Sequence, residues 1–142
     1  MSGVEERSSP LADAVERIGD RWTLLLVEAL LEGPRRFGEL SDDVRGIAPN
    51  ILTRRLRHLE EEGLLLARQY SERPRRFVYE LTAAGRELGG AIKLLAHWAS
   101  PDADDPAAPH HAACGTPLEA RWYCPTCDRA VDEDEASELP FV

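Results

Sequence analysis

The chain has 142 residues, of which 43% are hydrophobic and 30% charged, and its formal net charge is -9. This length suits one domain with its own core, or one small domain with an appendage, and the apolar runs are too short to cross a bilayer. The N-terminal stretch MSGVEERSSP lacks the apolar segment of a secretory signal, so a cytoplasmic protein with no membrane partner is expected.

The acidic charge is concentrated at the C-terminal end of the chain. Residues 1–100 contain 15 Lys and Arg against 16 Asp and Glu, whereas residues 101–142 contain 2 against 10. Within residues 34–86 the basic residues outnumber the acidic ones, 11 to 8. The distribution of charge decides whether a protein attracts a polyanion, so the negative total does not exclude nucleic acid as a partner.

Three helices are predicted in the first third of the chain. SSPLADAVERIG offers Ser9 as N-cap and Pro10 as the first helical residue. DRWTLLLVEALLEGP follows with Asp20 as its cap, and it is apolar on nearly all sides, which is typical of a buried helix. A shorter helix is predicted in RFGELSDDV. The apolar residues of the first helix fall on one stripe: Leu11, Ala14, Val15 and Ile18.

A further helix, beginning at Pro49 and ending at Gly63, has one apolar and one polar face. Leu52, Leu56 and Leu59 share the apolar face, which indicates packing against a core. The residue before the proline is Ala48, a weak N-cap. The opposite face is polar: Asn50, Thr53, Arg54, Arg57 and Glu61.

Two strand-like runs and a long helix complete the first hundred residues. LLLARQY and RFVYELT, joined by the polar segment SERPR, predict a β-hairpin with Arg73, Arg75 and Arg76 near its tip. Thr82 then caps a helix that continues to about Trp98. The pair Gly89-Gly90 inside this helix predicts a close approach of a second helix, because glycine is otherwise unfavourable there.

This order of elements predicts a mainly α fold with a β-hairpin wing, a winged helix-turn-helix, over residues 1–100. Such a fold places one helix in the major groove of double-stranded DNA. The arginine fork can bond O6 and N7 of guanine, and asparagine can bond adenine in the same way. Arginines of the hairpin suit phosphates or a narrow minor groove. Nothing in the chain resembles a nucleophile–base pair or a phosphate loop, so no enzyme is expected.

Three segments, IGDRWTLLLVEALLEGPRRFGEL, LTRRLRHLEEEGLL and RPRRFVYELTAAGREL, resemble in order the signatures of the HxlR-type transcriptional regulators. The resemblance covers residues 9 to about 98. It implies a winged-helix domain that binds DNA, a homodimer built by the N- and C-terminal helices, and a pseudo-palindromic operator, with repression favoured over activation. The DNA-contacting residues that it implies are Arg36, Asn50, Thr53, Arg54, Arg57, Arg73, Arg75 and Arg76.

The chain departs from this family's pattern at two positions. Many members have a cysteine just before the proline of the first helix and use it to sense oxidants, but this chain has Ser9 there. The second departure is Ala48, where the family often has a serine cap. Trp22 and Trp98, on the helices implied to form the dimer, are candidates for lining a pocket for a small-molecule effector, although buried aromatic residues are more often simply part of the core.

The C-terminal segment predicts a small zinc-ribbon-like appendage at residues 111–131, after a linker at residues 101–110 and before an acidic tail at residues 132–142. His111-x2-Cys114 and Cys124-x2-Cys127 have the paired spacing of a structural, tetrahedral zinc site. His110 and Asp128 are alternatives to His111 as the fourth ligand. The segment is too short for a core of its own, so the metal would be its main stabiliser.

Three other interpretations of these patterns stay open. The basic helix is also compatible with a winged-helix module that binds a protein, with the acidic tail as a docking segment. The Cys124-Pro-Thr-Cys127 motif alone resembles the dithiol of a redox protein, although no βαβ context surrounds it. The three cysteines are also compatible with unmetallated thiols in a loose tail.

Overall fold

The computed structural model of the chain describes residues 8–100, 102, 104–106 and 108–135. They divide into two compact units, Pro10–Lys93 and the described residues from Leu94 onwards. In chain order the elements are α1 (Pro10–Ile18), α2 (Thr23–Leu31), β1 (Arg35–Arg36), α3 (Phe37–Asp43), α4 (Pro49–Glu61), β2 (Leu65–Glu72), β3 (Arg75–Leu81), α5 (Ala83–Ala99), β4 (Trp122–Cys124) and β5 (Arg129–Val131).

The core of the first unit is formed by α2, α3, α4, the loops that follow α3 and α4, and the ends of the β-hairpin. The leucine face of α4 is buried as predicted, and α2 buries residues along its whole length. Burial of each such side chain contributes roughly 1.5–3 kcal/mol. The buried apolar residues are Leu26, Val27, Leu30, Leu40, Val44, Ile47, Leu52, Leu56, Leu59, Leu64, Leu65 and Leu81.

Asp20 binds the backbone at the start of α2, as predicted, although the N-cap position itself is Trp22, which makes no side-chain capping bond. Its carboxylate accepts the backbone N–H groups of Trp22 and Thr23 at 2.8 and 3.0 Å, and it also accepts the Thr23 hydroxyl. Partial burial acts to raise the pKa of Asp20, but the bonds from Thr23 and Trp22, helped by the Arg55 charge, hold this pKa below its usual value. The carboxylate is therefore ionised throughout the neutral range.

The predicted hairpin is present, and it is longer than the sequence pattern indicated. β2 and β3 pair from Leu65↔Leu81 to Glu72↔Arg75, so the strands extend into the segment expected to be the turn. The register shifts between Gln69 and Ser71. A third strand, β1, was not predicted: it pairs antiparallel with β3 and gives the sheet the order β1-β3-β2.

Helices α1 and α5 leave much of their apolar surface exposed. None of the residues of α1 is fully buried. Of the stripe predicted on this helix, Ile18 packs against the core, whereas Leu11 and Val15 are 72% and 56% exposed. In α5, Leu88 and Ile92 pack against the core. Trp98, near the C-terminal end of the same helix, is 82% exposed.

The close approach of a second helix expected at Gly89-Gly90 is present at Gly89, which is buried against Leu31 of α2, but a tighter contact lies one turn earlier. A Cβ atom at Gly85 would lie 2.2 Å from the Leu64 carbonyl oxygen, a backbone atom that cannot move aside. At Gly89 the nearest atom would be a Leu31 methyl at 3.4 Å, and at Gly90 nothing lies within 4 Å. The first turn of α5 thus packs directly on the end of the α4–β2 loop.

The second unit contains short hairpins and no buried core. β4 and β5 pair over three residues each, and an isolated bridge joins His110 to Pro117. None of the described residues between 102 and 135 is buried. Across the part of the chain that the structure describes, no helix combines the length and the hydropathy needed to span a bilayer.

Candidate DNA-binding surface and the cysteine-containing tail

The polar face of α4 is fully presented to solvent. The three buried leucines of this helix fix its rotation, which leaves Asn50, Thr53, Arg54 and Arg57 on the exposed side. The N-cap residue Ala48 makes no side-chain capping bond, as its small side chain requires. The helix therefore presents two guanidinium groups, an amide and a hydroxyl on a surface of one rigid element.

Two polar contacts at the edges of this helix fix it to the preceding elements. The Nε atom of Arg55 lies 3.4 Å from Oδ1 of Asp20, at the start of α2. The Nε2 atom of His58 lies 2.6 Å from the carbonyl oxygen of Arg17, which accepts a hydrogen bond. Arg17 in turn pairs with Glu62 at 2.5 Å. These contacts connect α4 with both α1 and α2, and sequence periodicity could not reveal them.

Thr53 offers less hydrogen-bonding capacity than its sequence position suggested. Its hydroxyl donates to the carbonyl oxygen of Pro49 at 3.0 Å, one turn earlier in the same helix. The hydroxyl proton is thus occupied, and the groups left for a partner are the oxygen lone pairs and the methyl group. Such a side chain is better suited to packing against the apolar methyl group of thymine than to donating a hydrogen bond to an acceptor on a base.

The wing and the start of α3 together form a cleft of about 680 Å³, called here the basic cleft because its walls contain three arginines, Arg36, Arg75 and Arg76, against two carboxylates, Glu39 and Asp42. Arg36 lies in β1 immediately before α3, and its guanidinium stacks on the Tyr70 ring at 4.7 Å from the ring centroid. Its backbone N–H donates to Glu39 at 3.2 Å. The structure therefore brings three of the predicted arginines to one cleft, and it identifies Tyr70 as a residue that the sequence analysis missed.

Carboxylate pairing separates the arginines assigned to DNA from four other arginines of the first unit, but not from Arg21, Arg45 and Arg86, which are also exposed and have no carboxylate partner within 4.0 Å among the described residues. In that unit, Arg17, Arg35, Arg55 and Arg68 each pair with a carboxylate within 4.0 Å. Within the described part of the chain, the predicted DNA-contacting arginines have no such partner, and all of them are exposed: Arg36, Arg54, Arg57, Arg73, Arg75 and Arg76. Their positive charge is therefore not neutralised locally.

The cysteine-containing tail holds its predicted ligands as two separate pairs. The Nδ1 atom of His111 lies 3.2 Å from Sγ of Cys114. The Cys124 thiol accepts the backbone N–H of Cys127, the first of three hydrogen bonds that lower its pKa; the Cys127 side chain and the Thr126 backbone N–H provide the others. Across residues 8–100, 102, 104–106 and 108–135, no three or more His, Cys, Asp and Glu side chains form a group with metal-ligand geometry.

The two tryptophans that were candidates for an effector pocket differ in environment. Trp22 packs partly against the core and carries the Arg21 guanidinium over its ring at 4.6 Å. Trp98 is largely exposed on α5. The existence of an effector stays a prediction.

Comparison with known proteins supports the winged helix-turn-helix fold. The sequence model of the HxlR-like helix-turn-helix family matches residues 17–105. An uncharacterized HTH-type transcriptional regulator of Mycobacterium tuberculosis strain H37Rv is 38% identical over 131 residues, which are 89% of this chain and 82% of that protein. The HTH-type transcriptional regulator YodB of Bacillus subtilis is 29% identical over 89 residues, covering 63% of this chain and 80% of YodB.

Solved structures agree with these sequence matches. The reduced form of the redox regulator HypR superposes with a TM-score of 0.62 at 29% identity, covering 68% of this chain and 95% of that one. The superposition on HypR covers about as much of the chain as the winged-helix part occupies, whereas the alignment with the Mycobacterium tuberculosis relative, at 89% of the chain, extends beyond that part. The chain is therefore a winged helix-turn-helix transcriptional regulator of the HxlR-like family.

Proposed function

We propose that the chain acts as a homodimeric repressor, which binds a pseudo-palindromic operator through α4 and the wing. The observation that carries this proposal is the set of exposed arginines without carboxylate partners, on α4, at the start of α3 and at the wing tip. Unneutralised guanidinium groups attract a polyanion, whereas an arginine already paired with a carboxylate contributes little to it.

In this proposal α4 enters the major groove and reads base edges. Arg54 and Arg57 reach guanine O6 and N7, Asn50 reaches adenine, and Thr53 contacts a thymine methyl. The contacts of Arg55 with Asp20 and of His58 with Arg17 hold the helix at a fixed angle. A side chain that recognises a base requires a fixed helix orientation, because a helix of variable orientation would let the same side chain contact several base pairs equally well.

The basic cleft binds the DNA backbone beside that groove. Arg36, stacked on Tyr70, presents its guanidinium in one orientation, and Arg75 and Arg76 border the same cleft. Arg73, at the end of the wing, extends to a phosphate or into the neighbouring minor groove. These contacts position the protein on the duplex and carry little sequence information of their own.

The dimer is formed through α1 and α5, the helices that the family resemblance assigns to this role. Both leave large apolar side chains exposed, among them Leu11 on α1 and Leu95 on α5, at 72% and 52%. A dimer of this kind has two copies of α4 and places them on inverted half-sites. An operator occupied in this way excludes the polymerase, which makes repression the expected outcome in the cytoplasm, where the protein would meet the chromosome.

The test is selection of bound duplexes from a random pool, followed by gel-shift titration of variants across a salt series. Arg54→Ala should lower affinity for the selected site by about 1–3 kcal/mol and relax the preference at one base pair. Arg75→Ala should weaken binding to all sequences alike and reduce the slope of log affinity against log salt by about one unit.

Arg68→Ala is the matched control for the wing, because Arg68 lies on β2 and already pairs with Glu80 at 3.4 Å. It should change neither the affinity nor the salt slope by a comparable amount. If Arg54→Ala and Arg75→Ala both bind like the wild type, the groove and wing assignment is wrong. In that case a protein partner of the basic face becomes the better explanation.

A further inference from the structure

The second unit lacks the usual source of stability of a folded segment. No described residue between 102 and 135 is buried, and the two largest aromatic side chains, Trp122 and Tyr123, are 66% and 57% exposed. An isolated two-stranded hairpin is marginal in water, and segments below about 40 residues usually need a disulfide, a metal or a partner. All three cysteines are free thiols in the structure.

The first ligand pair lies in a tight reversal of the chain. The His110↔Pro117 bridge closes this reversal, and the backbone N–H of His111 donates to Thr116 at 2.8 Å. The His111 carbonyl accepts the N–H groups of Cys114 and Gly115 at 3.3 and 2.7 Å. Gly115 has a φ of +70°, which glycine adopts without strain. The reversal thereby turns the His111 ring and the Cys114 thiol towards each other.

The second ligand pair repeats this arrangement on another hairpin. Cys124 ends β4, opposite Arg129 of β5. The residue after the pair, Asp128, has a φ of +54°. The two turns are thus alike. Each has two potential ligands separated by two residues, and in each the second ligand is followed by a residue with a left-handed backbone conformation, Gly115 or Asp128.

The distance between the two ligand atoms of the first pair is close to the distance that a zinc ion would require. Zn–S and Zn–N bonds of about 2.3 and 2.0–2.1 Å at a tetrahedral angle place the two ligand atoms roughly 3.5 Å apart. The His111 Nδ1 and Cys114 Sγ atoms are 3.2 Å apart, only a few tenths of an ångström closer than that. Thiolate and imidazole ligands with such paired spacing are those of structural zinc.

We propose that one zinc ion, bound by His111, Cys114, Cys124 and Cys127, joins the two turns of the tail into a single ribbon. The pairs are separate groups in the structure, so binding brings the two turns together and the metal supplies folding free energy. Four protein ligands close the coordination shell, which makes the site structural. The proposal is independent of the DNA-binding function.

The structure also favours His111 over its alternatives as the fourth ligand. The Nδ1 atom of His110 is bonded to the Ala108 carbonyl, away from the thiol of Cys114. Asp128 is occupied by the hydroxyl of Tyr123. Among the histidines in the described part of the chain, His111 is the one whose ring nitrogen forms a hydrogen bond with a cysteine sulfur, so the first pair consists of His111 and Cys114.

The test uses the full-length chain, purified under reducing conditions without chelator. Its zinc content should be about one ion per chain, and Co²⁺ added to the metal-free chain should give the absorption of a tetrahedral site with three thiolate ligands. Cys114→Ser and Cys124→Ser should each weaken Co²⁺ binding by more than the roughly 10–100-fold that loss of an outer-shell partner causes. His111→Ala should weaken it too, and His110→Ala is the matched control that should not.

Each other outcome contradicts the proposal. A reduced chain that binds neither Zn²⁺ nor Co²⁺ has no site, and reversible formation of a Cys124–Cys127 disulfide in such a chain would point to a dithiol instead. Tight binding that survives Cys114→Ser or Cys124→Ser excludes the four-residue site. Greater loss in His110→Ala than in His111→Ala excludes the ligand set. The Co²⁺ spectrum of the wild type reports the number of thiolate ligands directly. The conclusion therefore does not depend on variants that lose metal binding simply because they unfold.

Discussion

Asp20 performs two tasks in the first unit, since it accepts backbone hydrogen bonds at the start of α2 and pairs with Arg55 of α4. Because its folded-state pKa lies below the usual value, its charge stabilises the fold above the unfolded pKa of about 3.9. This contribution is lost as the pH falls through the folded-state value. The residue thus connects the stability of α2 with the orientation of α4.

We predict that Asp20→Asn, which keeps an oxygen for capping but removes the charge, lowers the free energy of unfolding by about 1 kcal/mol at neutral pH. The difference from the wild type should shrink as the pH falls below about 4. Urea unfolding across this pH range measures it, with Glu87→Gln as a control at an exposed position of α5. A difference that stays constant or grows in acid would contradict the role given to the charge.

At this scale the sequence predicts only those contacts that are local along the chain. Asp20 could be recognised as a cap because its partners are two and three residues away. Its ion pair with Arg55 could not be recognised, because the fold brings together residues 35 positions apart. The stacking of Arg36 on Tyr70 is hidden for the same reason. The polar face of α4 was predictable because helical periodicity alone determines it.

Gly85 and Gly90 test how the first turn of α5 packs. Gly85→Ala should destabilise the fold by at least about 1–3 kcal/mol, the usual range for overpacking, because the new Cβ atom would lie 2.2 Å from a backbone oxygen. Gly90→Ala adds the same methyl group where nothing lies within 4 Å. It should stabilise the helix by up to about 1 kcal/mol.

Thermal or urea unfolding of the two variants gives opposite signs if this packing is right. Equal effects would mean that α5 begins elsewhere or that its first turn is loose. The comparison is sharp because both substitutions make the same change in one helix, and only their surroundings differ.

Elements with internal periodicity were predictable, and those defined by a partner were not. The leucine spacing of α4 and the alternation in β3 each identify an element from its own residues. β1 has two residues and therefore no period, so only its pairing with β3 defines it. The stripe on α1 was recognised correctly as apolar, but periodicity cannot tell whether its partner is the core or a second chain. The two proposed zinc-ligand pairs are a comparable case. The local spacing of residues predicts each pair, but it does not predict whether the two pairs come together.

For the whole molecule, the exposed stripe of α1 predicts the oligomeric state. The wild type should sediment as a dimer at micromolar concentration, and its selected operator should contain inverted half-sites about 34–36 Å apart. Val15→Lys should give a monomer, because burying an unpaired ammonium in the interface is strongly unfavourable. Leu66→Lys is the matched control, since Leu66 on β2 is 55% exposed against 56% for Val15. A dimer in both variants would exclude α1 from the interface.

The uneven charge of the chain leads to a prediction about the tail as a whole. Residues 101–142 contain 10 acidic and 2 basic residues, and three thiolates with one neutral imidazole around Zn²⁺ would not offset that excess. Such a segment is repelled by phosphates and is expected to stay away from the operator. Deleting residues 101–142 should therefore leave operator affinity equal or tighter.

Any gain in affinity should fade as salt is added, because the Debye length is only about 10 Å at 0.1 M ionic strength. Gel-shift titration of the full-length and shortened chains at several salt concentrations measures this effect. The variant that replaces Asp132, Glu133, Asp134 and Glu135 by their amides is the control, since it removes four charges and keeps the segment. It should reproduce part of the gain. A large loss of affinity on deletion would instead mean that the tail contacts DNA or supports the dimer, and the two units could then no longer be regarded as separate in function.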